Sequence, residues 1–556
     1  MVDDGYKKFV ERLESVCEKY ADKTAITYMR NDGSKINYSF SEILKHIQAA
    51  KEDFSKIGLK PGDRVAIISP HSPFAIIAAI SLAYSNLTNV LIDASLPTEE
   101  IIRLLEHSDV RAVFTTSIIC EMIDEKIVQN IPVFDLSNEL TDYKVFFSST
   151  EKATSHPTID PDTGVLVILF SSGTTATVKG VEITFSATLP ALDMCIKTTT
   201  ITENSYFLHI LPIFHIAGYN SFWQFLFCGS NIGIVEDFDA SKLQTALSIY
   251  QPTHFLIVPR AFEIIEQKIR NEIKRKGIAT KVIFSILYSL CGFSYKTFGI
   301  NLGKSLLSFI RCKVFGNKIL ALGTGSSICM KSTSEFFLNI GVSCWANYYA
   351  STETNTPTTV CGVFDRYPVG TVGKVDRFDD ITIKIHDPDE NGIGEIRVKT
   401  VLIMKGYFRD PELTAAAFDE DGYFKTGDLG YIDKKNYLHV TGRIKEAIML
   451  HTGKKVAPTD VDNFYNGLMG DVVFASCGIP NKNGTYDEIH LFIEKGELST
   501  DEQNELRNRV MELSGQTSTL YQLAGLHFID EIPMTSIKKV KRFQLKDMAL
   551  TEYNKS

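Results

Sequence analysis

The chain has 556 residues, of which 44% are hydrophobic and 22% charged, and its net charge is −9 at pH 7. This length exceeds what one hydrophobic core supports, so we expect several subdomains. The acidic balance argues against a general nucleic-acid-binding protein, whose surface is basic, but it leaves a site for a single nucleotide possible.

The first third of the chain alternates between strand and helix patterns. Short apolar runs at residues 65–68 and 89–93 predict strands, and residues 74–84 and 95–108 predict helices. The run VLVILF at residues 165–170 predicts a further strand of the same kind. This alternation indicates an α/β protein with mostly parallel sheets covered by helices, and such sheets bind ligands at the carboxyl ends of their strands.

Residues 282–299, VIFSILYSLCGFSYKTFG, are the one candidate for membrane contact. The stretch is short and polar for a spanning helix, and basic residues flank it. We expect a buried helix pair with solvated ends. The alternative is a monotopic patch that contacts anionic lipid, so a peripheral membrane contact stays open.

The pattern changes after about residue 358 to short strands with glycine turns. GYIDKKNYLHVTGR predicts a hairpin with its turn at residues 433–436, and the last part of the chain predicts a small α+β domain. The complete prediction is a large N-terminal domain of parallel and mixed sheets with helices, a small β-barrel-like subdomain, and a small mobile α+β C-terminal domain.

The cysteines and histidines suggest no metal held by protein ligands alone. Ten cysteines are scattered without a Cys-x-x-Cys pair, and the twelve histidines include no His-Glu-x-x-His. The N-terminus lacks the apolar core of a signal peptide, and the last residues are not a Ser-Lys-Leu peroxisomal signal. We therefore expect a cytoplasmic protein with reduced cysteines, whose oligomeric state the sequence leaves open.

The loop that follows residue 170 has the composition of a phosphate site. It reads SSGTTATVKG, with hydroxyl groups, two glycines that let backbone N–H groups approach a ligand, and one lysine. It does not match the Gly-x4-Gly-Lys-Ser/Thr pattern of a P-loop. On its own, such a loop is most often only a loop.

Further motifs give the loop a context. LPIFHIAG, YYASTET, KGYFRDPELTAAAFDEDGYFKTGDLGYID, VTGRIKEAI and GKKVAP follow it in order. Together they resemble the adenylate-forming superfamily, which includes acyl- and aryl-CoA synthetases, beetle luciferases and peptide-synthetase adenylation domains. The resemblance covers nearly the whole chain. The block VPRAFEIIEQKI, the insertion after it and ALGTGSSI suggest the branch of long-chain fatty acyl-CoA synthetases.

The resemblance implies an N-terminal adenylation domain at residues 1–442, a mobile cap domain at 443–556 and a two-step reaction. A carboxylate attacks the α-phosphorus of ATP to give acyl-AMP and pyrophosphate, and the thiol of coenzyme A then displaces AMP. Positioned cations matter most in the first step, because an anion must approach a polyanion.

The resemblance also implies the residues that bind ATP and Mg²⁺. The hydroxyl loop would bind phosphates, through Ser171, Ser172, Gly173, Thr174, Thr175 and Lys179. Thr352 would contact phosphate, and Glu353 would coordinate Mg²⁺, with Thr175 as a further ligand. Tyr349 and the backbone at Gly325 and Ser326 would enclose adenine, while Asp428 and Arg443 would bind the ribose.

Five further residues have implied roles in catalysis and transfer. His215 would lie between the acyl entrance and the α-phosphate, with Tyr219 as a candidate gate. Lys539 would neutralise the charge that develops at the α-phosphate. Lys445 lies where the C-terminal domain would pivot, and Gly453 would let the pantetheine channel pass close to the backbone.

The chain departs from the family pattern at Ala176 and Val178, where glycine and proline are usual, and at Lys538, where glycine is usual. Our first hypothesis is an acyl-CoA synthetase for a medium- or long-chain fatty acid. The alternatives are an adenylating ligase for an aryl or other carboxylic acid, a ligase with a carrier-protein acceptor, a luciferase-like oxidative reaction and, remotely, a non-catalytic lipid or nucleotide binder. The five motif residues Thr352, Glu353, Asp428, Arg443 and Lys539 argue against the last of these.

Overall fold

The computed structural model describes most of the chain with full side-chain detail. The described residues are 4–30, 33–122, 132–136, 164–171, 179–235, 240–325, 329–342, 344–360, 367–452, 454–470, 472–535 and 539–553. Most of the hydroxyl loop lies outside them.

Two sheets with helices make up the N-terminal two thirds of the described chain. The helices there are α1 (Asp4–Lys19), α2 (Phe40–Lys56), α3 (Pro73–Tyr84), α4 (Thr98–Ser108), α5 (Ser117–Met122), α6 (Phe185–Thr198), α7 (Ile216–Phe227), α8 (Ala240–Tyr250), α9 (Pro259–Arg275), α10 (Ile278–Phe298), α11 (Gly303–Leu306), α12 (Ser308–Phe315) and α13 (Lys331–Asn339). The strands are β1 (Thr24–Met29), β2 (Lys35–Ser39), β3 (Arg64–Ile68), β4 (Thr88–Ile92), β5 (Ala112–Thr115), β6 (Val133–Asp135), β7 (Val165–Ser171), β8 (Lys179–Thr184), β9 (Tyr206–His209), β10 (Asn231–Ile234), β11 (His254–Ile257), β12 (Ala321–Thr324), β13 (Cys344–Tyr349) and β14 (Thr359–Val360).

The remaining elements are mainly antiparallel strands and short helices. The strands are β15 (Gly373–Lys374), β16 (Ile381–His386), β17 (Gly394–Thr400), β18 (Gly406–Tyr407), β19 (Phe424–Ile432), β20 (Tyr437–Arg443), β21 (Ile448–Met449), β22 (Lys455–Val456), β23 (Phe474–Pro480), β24 (Asp487–Glu494) and β25 (Leu523–Ile529). The helices are α14 (Pro411–Ala416), α15 (Pro458–Met469), α16 (Thr500–Gln516) and α17 (Arg542–Tyr553).

The two large sheets are mixed, with parallel centres and antiparallel edges. One has eight strands in the order β14-β13-β12-β11-β9-β10-β1-β2, and the other has seven in the order β18-β8-β7-β4-β3-β5-β6. Strands β3, β4, β5 and β7 pair in parallel, while β7 and β8 form an antiparallel pair. The predicted α/β architecture is confirmed, although α4 begins at Thr98, three residues after the predicted start.

One core cluster joins the two large sheets. It contains Ile26 and Ile232 from the eight-stranded sheet and Leu91 and Leu169 from the seven-stranded sheet. Trp223 of α7 is fully buried in this cluster and packs edge-on against Phe9 of α1. The packed helices therefore hold the carboxyl ends of both sheets in a fixed relation, and the candidate site lies there.

The C-terminal third contains smaller sheets with cores of their own. Strands β15, β20, β19, β17 and β16 form a five-stranded antiparallel sheet in the region predicted as the small β subdomain. The predicted hairpin turn is present between β19 and β20, where Asn436 has a positive φ of 62°. Two core clusters consist entirely of residues from Ile448 onward, around the three-stranded sheet β23-β24-β25.

The expectation of a buried helix pair at residues 282–299 is wrong. A single helix, α10, spans Ile278–Phe298, and its 21 residues are long and apolar enough to cross a membrane by length and composition. Only 22% of the most apolar 18-residue stretch of this helix is buried. The length and hydropathy of α10 therefore do not identify it as a core helix, because in the described part of the chain most of its side chains remain exposed.

Candidate active site

A cavity of about 460 Å³ lies at the carboxyl ends of the eight-stranded sheet. Its lining includes residues that follow β9, β11, β12 and β13, together with Lys179 of β8. Residues from β20 and from the segment before α17 complete the wall. This is where open α/β sheets bind ligands.

The predicted site residues converge on this cavity from distant parts of the sequence. Those that line it are Lys179, His215, Gly325, Thr352, Glu353, Arg443, Lys445 and Lys539. A second cavity of about 210 Å³ is lined by Tyr349 and Asp428, and both cavities are lined by Tyr348, Ala350, Arg443 and Lys539. The two cavities are therefore adjacent parts of one cleft.

Some of the predicted residues fall outside the described part of the chain. These are Ser172, Gly173, Thr174, Thr175, Ala176, Val178, Ser326, Gly453 and Lys538, together with the side chain of Ser171. The backbone of Ser171 pairs with Lys179 at the end of the β7–β8 ladder. The residues that flank the hydroxyl loop, Phe170 and Lys179, both line the cavity.

Thr352 and Glu353 lie in a turn whose shape is set by hydrogen bonds on both sides. The Ser351 backbone N–H donates to Thr354 Oγ1 at 2.9 Å, and the Thr354 N–H donates to Ser351 Oγ at 3.1 Å. Asn355 takes a positive φ of 59°, and the Asn220 side chain of α7 donates to its backbone carbonyl. This network positions the two residues before any ligand binds.

Glu353 has the surroundings of a magnesium ligand. Its Oε1 accepts a hydrogen bond of 3.0 Å from the Tyr407 hydroxyl, and Lys179 Nζ lies 5.0 Å from the centre of that tyrosine ring. Among the described residues, no cluster of three metal-binding side chains occurs. A single carboxylate suits Mg²⁺, whose remaining ligands are then water and phosphate oxygens.

Asp428, Tyr349 and Arg443 form a polar cluster in the second cavity. The Tyr349 hydroxyl donates to Asp428 Oδ2 at 2.9 Å, and Arg443 Nε lies 3.2 Å from Asp428 Oδ1. Burial raises the pKa of the Asp428 carboxyl, while Arg443 and Tyr349 act in the opposite direction. Burial and the charge of Asp428 raise the pKa of Tyr349, which therefore stays protonated as the donor.

His215 precedes α7 and is neutral at pH 7. The pKa of its imidazole is lowered to about 4, mainly by burial; Asp93 opposes this shift, and the positive charge of Lys539 contributes to it. A neutral imidazole can donate one hydrogen bond and accept another without attracting or repelling an anion. His215 is therefore suited to orienting a carboxylate beside the cavity.

Lys539 enters the cleft from the C-terminal third of the chain. Its backbone N–H donates to Thr535 Oγ1 at 3.1 Å, and its carbonyl accepts from the Thr535 N–H at 2.8 Å. Burial and the nearby Arg443 lower the pKa of the Lys539 ammonium to about 8, while Glu446 and Asp428 oppose the shift. The ammonium is thus desolvated next to another cation, and an incoming polyanion would relieve both penalties.

The backbone at Gly325 explains why this position is glycine. A Cβ built at Gly325 would lie 3.2 Å from the Tyr348 carbonyl oxygen and 3.4 Å from the Tyr348 Cβ. The close approach lets the backbone after β12 and the backbone of β13 line the same cavity.

The deep part of the cavity is apolar with a few polar groups. It is bounded by the aromatic side chains of Phe207, Phe214, Phe225 and Phe255, and Phe207 and Phe225 stack with their ring centres 4.1 Å apart. The polar side chains of Asn220, Gln224 and His254 also line it. The prediction that Tyr219 gates the cavity is wrong. Its side chain does not line the cavity, because it is fully buried against Phe222 and Trp223.

Sequence reasoning missed two residues that hold site residues in place. Tyr407, which bonds Glu353, is the tyrosine of KGYFRDP, a block that was matched but whose tyrosine was given no role. Arg542, which follows Lys539 by three residues, forms an ion pair with the buried Asp462. The sequence of the basic run at residues 538–542 gave no signal that singles out Arg542 as the partner of a buried carboxylate.

Comparisons with known proteins agree with this geometry. The sequence profile of the family described as AMP-binding enzyme matches residues 13–408. A relative, 4-coumarate–CoA ligase 2 of Nicotiana tabacum, is 24% identical over 96% of this chain and 94% of its own length.

Two solved structures are similar over almost the whole chain. ATP-bound MatB from Rhodopseudomonas palustris has a TM-score of 0.74 and 21% identity, covering 97% of this chain and 98% of its own. The anthranilate CoA ligase AuaEII in complex with anthranoyl-AMP has a TM-score of 0.73 and 17% identity, covering 97% of both chains. These similarities support the fold, and none of them supports a special closeness to the long-chain fatty acyl branch. With a profile match that spans more than half of its length, the chain belongs to the AMP-binding family of adenylate-forming enzymes.

Proposed function

We propose that this protein is an AMP-forming acid–CoA ligase whose acid substrate is an aryl or similarly compact carboxylic acid. The observation that carries the proposal is the convergence of Lys179, His215, Glu353, Arg443 and Lys539 on one cavity. Three of these side chains are cations, as transfer from a triphosphate to an anionic nucleophile requires. ATP, Mg²⁺, coenzyme A and the acid are the proposed small-molecule partners.

The adenylation step follows from the positions of the charges. Lys179 at the start of β8 would bind the outer phosphates, and Asp428 would accept hydrogen bonds from the ribose hydroxyls. Mg²⁺ held by Glu353 would neutralise phosphate charge. Lys539 would donate to the α-phosphate oxygen as the carboxylate oxygen, oriented by His215, attacks phosphorus and the bond to pyrophosphate breaks.

The proposed acid substrate differs from our first hypothesis, which was a medium- or long-chain fatty acid. The names of two of the similar proteins refer to 4-coumarate and anthranilate, which are both aromatic acids. Stacked aromatic side chains beside Asn220, Gln224 and His254 suit a planar ring with a polar substituent. These observations support the aryl alternative over the medium- or long-chain fatty acid. Free coenzyme A is the proposed acceptor, and a carrier-bound pantetheine is the second candidate.

We further propose that the cap domain comprises residues 443–556 and pivots at Lys445 between the two half-reactions. Lys445 is exposed and lies just after β20, before the first strand of the C-terminal cores. An exposed polar side chain at the hinge can stay in contact with solvent in both orientations of the cap domain. A cytoplasmic location is proposed together with this enzyme role.

Replacing Lys539 by alanine tests the adenylation step. We expect Lys539→Ala to lower carboxylate-dependent ATP–pyrophosphate exchange by about 10²–10³-fold, because a donor to the developing charge is lost. Thioester formation from supplied acyl-AMP should stay largely intact. Lys541→Ala is the matched control, because Lys541 lies in the same basic run and lines neither cavity. Equal loss of both half-reactions would refute the role.

The pH dependence of adenylation tests the charge state of Lys539. The protonated form is the active one, so kcat/KM for pyrophosphate exchange should fall as pH rises through about 8, the pKa of Lys539 in the free enzyme. In Lys539→Arg the residual activity should persist to higher pH, because arginine stays charged. An identical alkaline limb in both proteins would contradict the assignment.

The hinge is tested by Lys445→Pro. Proline fixes its own φ and restricts Ile444, so rotation at this point should be hindered. We expect pyrophosphate exchange to be retained while thioester formation falls at least about tenfold. Lys445→Ala, which removes the side chain but keeps the backbone free, is the control. Unchanged overall turnover in Lys445→Pro would rule out the hinge.

A panel of carboxylic acids tests the substrate class. AMP release with coenzyme A would be measured for cinnamate-type and benzoate-type acids and for saturated fatty acids of increasing length. We expect the aryl acids to give kcat/KM values at least about tenfold above those of long-chain acids, since the apolar part of the cavity fits a ring. A preference that rises steadily with chain length would restore the fatty-acid hypothesis.

A further inference from the structure

Helix α10 presents a continuous apolar face to solvent. The exposed side chains of this face, with their exposed fractions, are Ile278 (83%), Val282 (50%), Ile283 (58%), Ile286 (62%), Leu290 (45%) and Phe293 (61%). Scattered single apolar residues are ordinary on a protein surface, but a contiguous group of this size marks an interaction site.

The spacing of these residues places them on one side of the helix. Successive members of the face are separated by four, one, three, four and three positions, which corresponds to one stripe at 3.6 residues per turn. The opposite side of α10 packs against the core through Phe284, Leu287, Tyr288 and Tyr295. The helix therefore packs against the protein on one side, while no described residue covers the other side.

Neighbouring elements extend the apolar face. After the helix ends, Phe298 and Ile300 are 64% and 56% exposed, and Phe309 of α12 is 63% exposed. Both Phe293 and Phe298 belong to this region, and their ring centres lie 6.0 Å apart. The uncovered surface therefore continues from α10 towards α12.

The charged residues around the apolar face are mostly basic, although Lys296 pairs with Glu335 of α13 and Arg275 lies 3.6 Å from Glu272 of α9. Residues 273–334 include no aspartate or glutamate, although the whole chain has a net charge of −9. The basic residues between positions 274 and 318 are Lys274, Arg275, Lys276, Lys281, Lys296, Lys304, Arg311, Lys313 and Lys318. An apolar stripe bordered by lysine and arginine matches an interface of acyl chains and anionic headgroups.

The same charges distinguish between the possible occupants of the face. A second copy of the chain would bring two basic borders together, and the repulsion would oppose a symmetric dimer. A spanning orientation would require α10 to leave its packing against α9 and α13. An anionic bilayer surface satisfies both the apolar stripe and the basic border without moving the helix.

We propose that the apolar face of α10 docks on the surface of an anionic membrane, with the helix lying in the plane of the interface. The side chains of the face enter the headgroup–acyl boundary, and the lysines around it bind anionic headgroups. This site is separate from the ligand cleft, so the proposal does not depend on the acid substrate or on the ligase activity.

Vesicle flotation tests the proposal with the full-length protein. The probes are vesicles of phosphatidylcholine alone and of phosphatidylcholine with about a third phosphatidylglycerol, a content that gives a clearly negative surface. We expect the protein to float with the anionic vesicles and not with the neutral ones. High salt should weaken this binding, because the basic residues act through screened charge.

Two sets of variants separate the apolar and the electrostatic contributions. Ile286→Glu combined with Phe293→Glu should lower the vesicle partition coefficient by at least about tenfold. Val401→Glu is the matched control, because Val401 is 80% exposed and lies outside the face. Lys281→Gln and Lys304→Gln should each lower binding to anionic vesicles by about fivefold. Circular dichroism of each variant confirms that it is folded.

Three outcomes would overturn the proposal. The first is equal flotation of wild type and of the Ile286→Glu, Phe293→Glu variant, and the second is an absence of flotation with anionic vesicles. The third is a lipid-free wild type that sediments as an oligomer and becomes monomeric in the same variant, which would assign the face to a second copy. Pyrophosphate exchange, measured in parallel without vesicles, reports on the ligase proposal independently.

Discussion

The site depends on the electrostatic balance around Lys539. Its ammonium is desolvated and lies near the guanidinium of Arg443, with Asp428 and Glu446 as the opposing charges, so its pKa falls to about 8. A buried cation with incomplete compensation is costly for the folded protein. A triphosphate in the cleft would supply the missing negative charge, and binding would then strengthen the protonated state that the proposed chemistry uses.

This balance requires several remote contacts to hold at once. Thr535 fixes the backbone at Lys539, and the ion pair between Arg542 and the buried Asp462 ties the same segment to α15. On the other side of the cleft, Tyr407 holds Glu353 and Asn220 holds the turn that contains it. The proposed catalytic charges are thus positioned by residues from separate parts of the sequence, which together form no single motif.

Much of the architecture could be predicted from the sequence because the relevant signals are local. Alternating apolar runs and helix patterns predicted β3, α3, β4 and β7, with bounds that differ from the structure by a few residues. The turn at residues 433–436 followed from Asp and Asn at positions that favour tight turns. The predicted site residues that line the cleft came from the family resemblance, since each sits in a short motif, whereas other lining residues such as Phe207 and Asn220 belong to no such motif.

Other features could not be predicted, because they depend on which surfaces meet. The apolar pattern of α10 fits a core helix as well as an exposed one, and only the packing of α9 and α13 on one side decides between them. Tyr219 sits one turn after His215, yet it points into the core between the sheets rather than into the cavity. The bond between Tyr349 and Asp428 joins residues 79 positions apart, which no local pattern encodes.

The two proposals meet in the elements that connect the helix surface with the cleft. Helix α10 packs against α13, and α13 lies in the chain between β12 and β13, whose ends line the cavity. An apolar acid concentrates at a membrane interface because its ring or chain leaves water while its carboxylate stays hydrated. An enzyme docked through α10 would therefore work where such an acid is most abundant. Its basic border would hold it at the surface while the cleft retains its own separate set of cations.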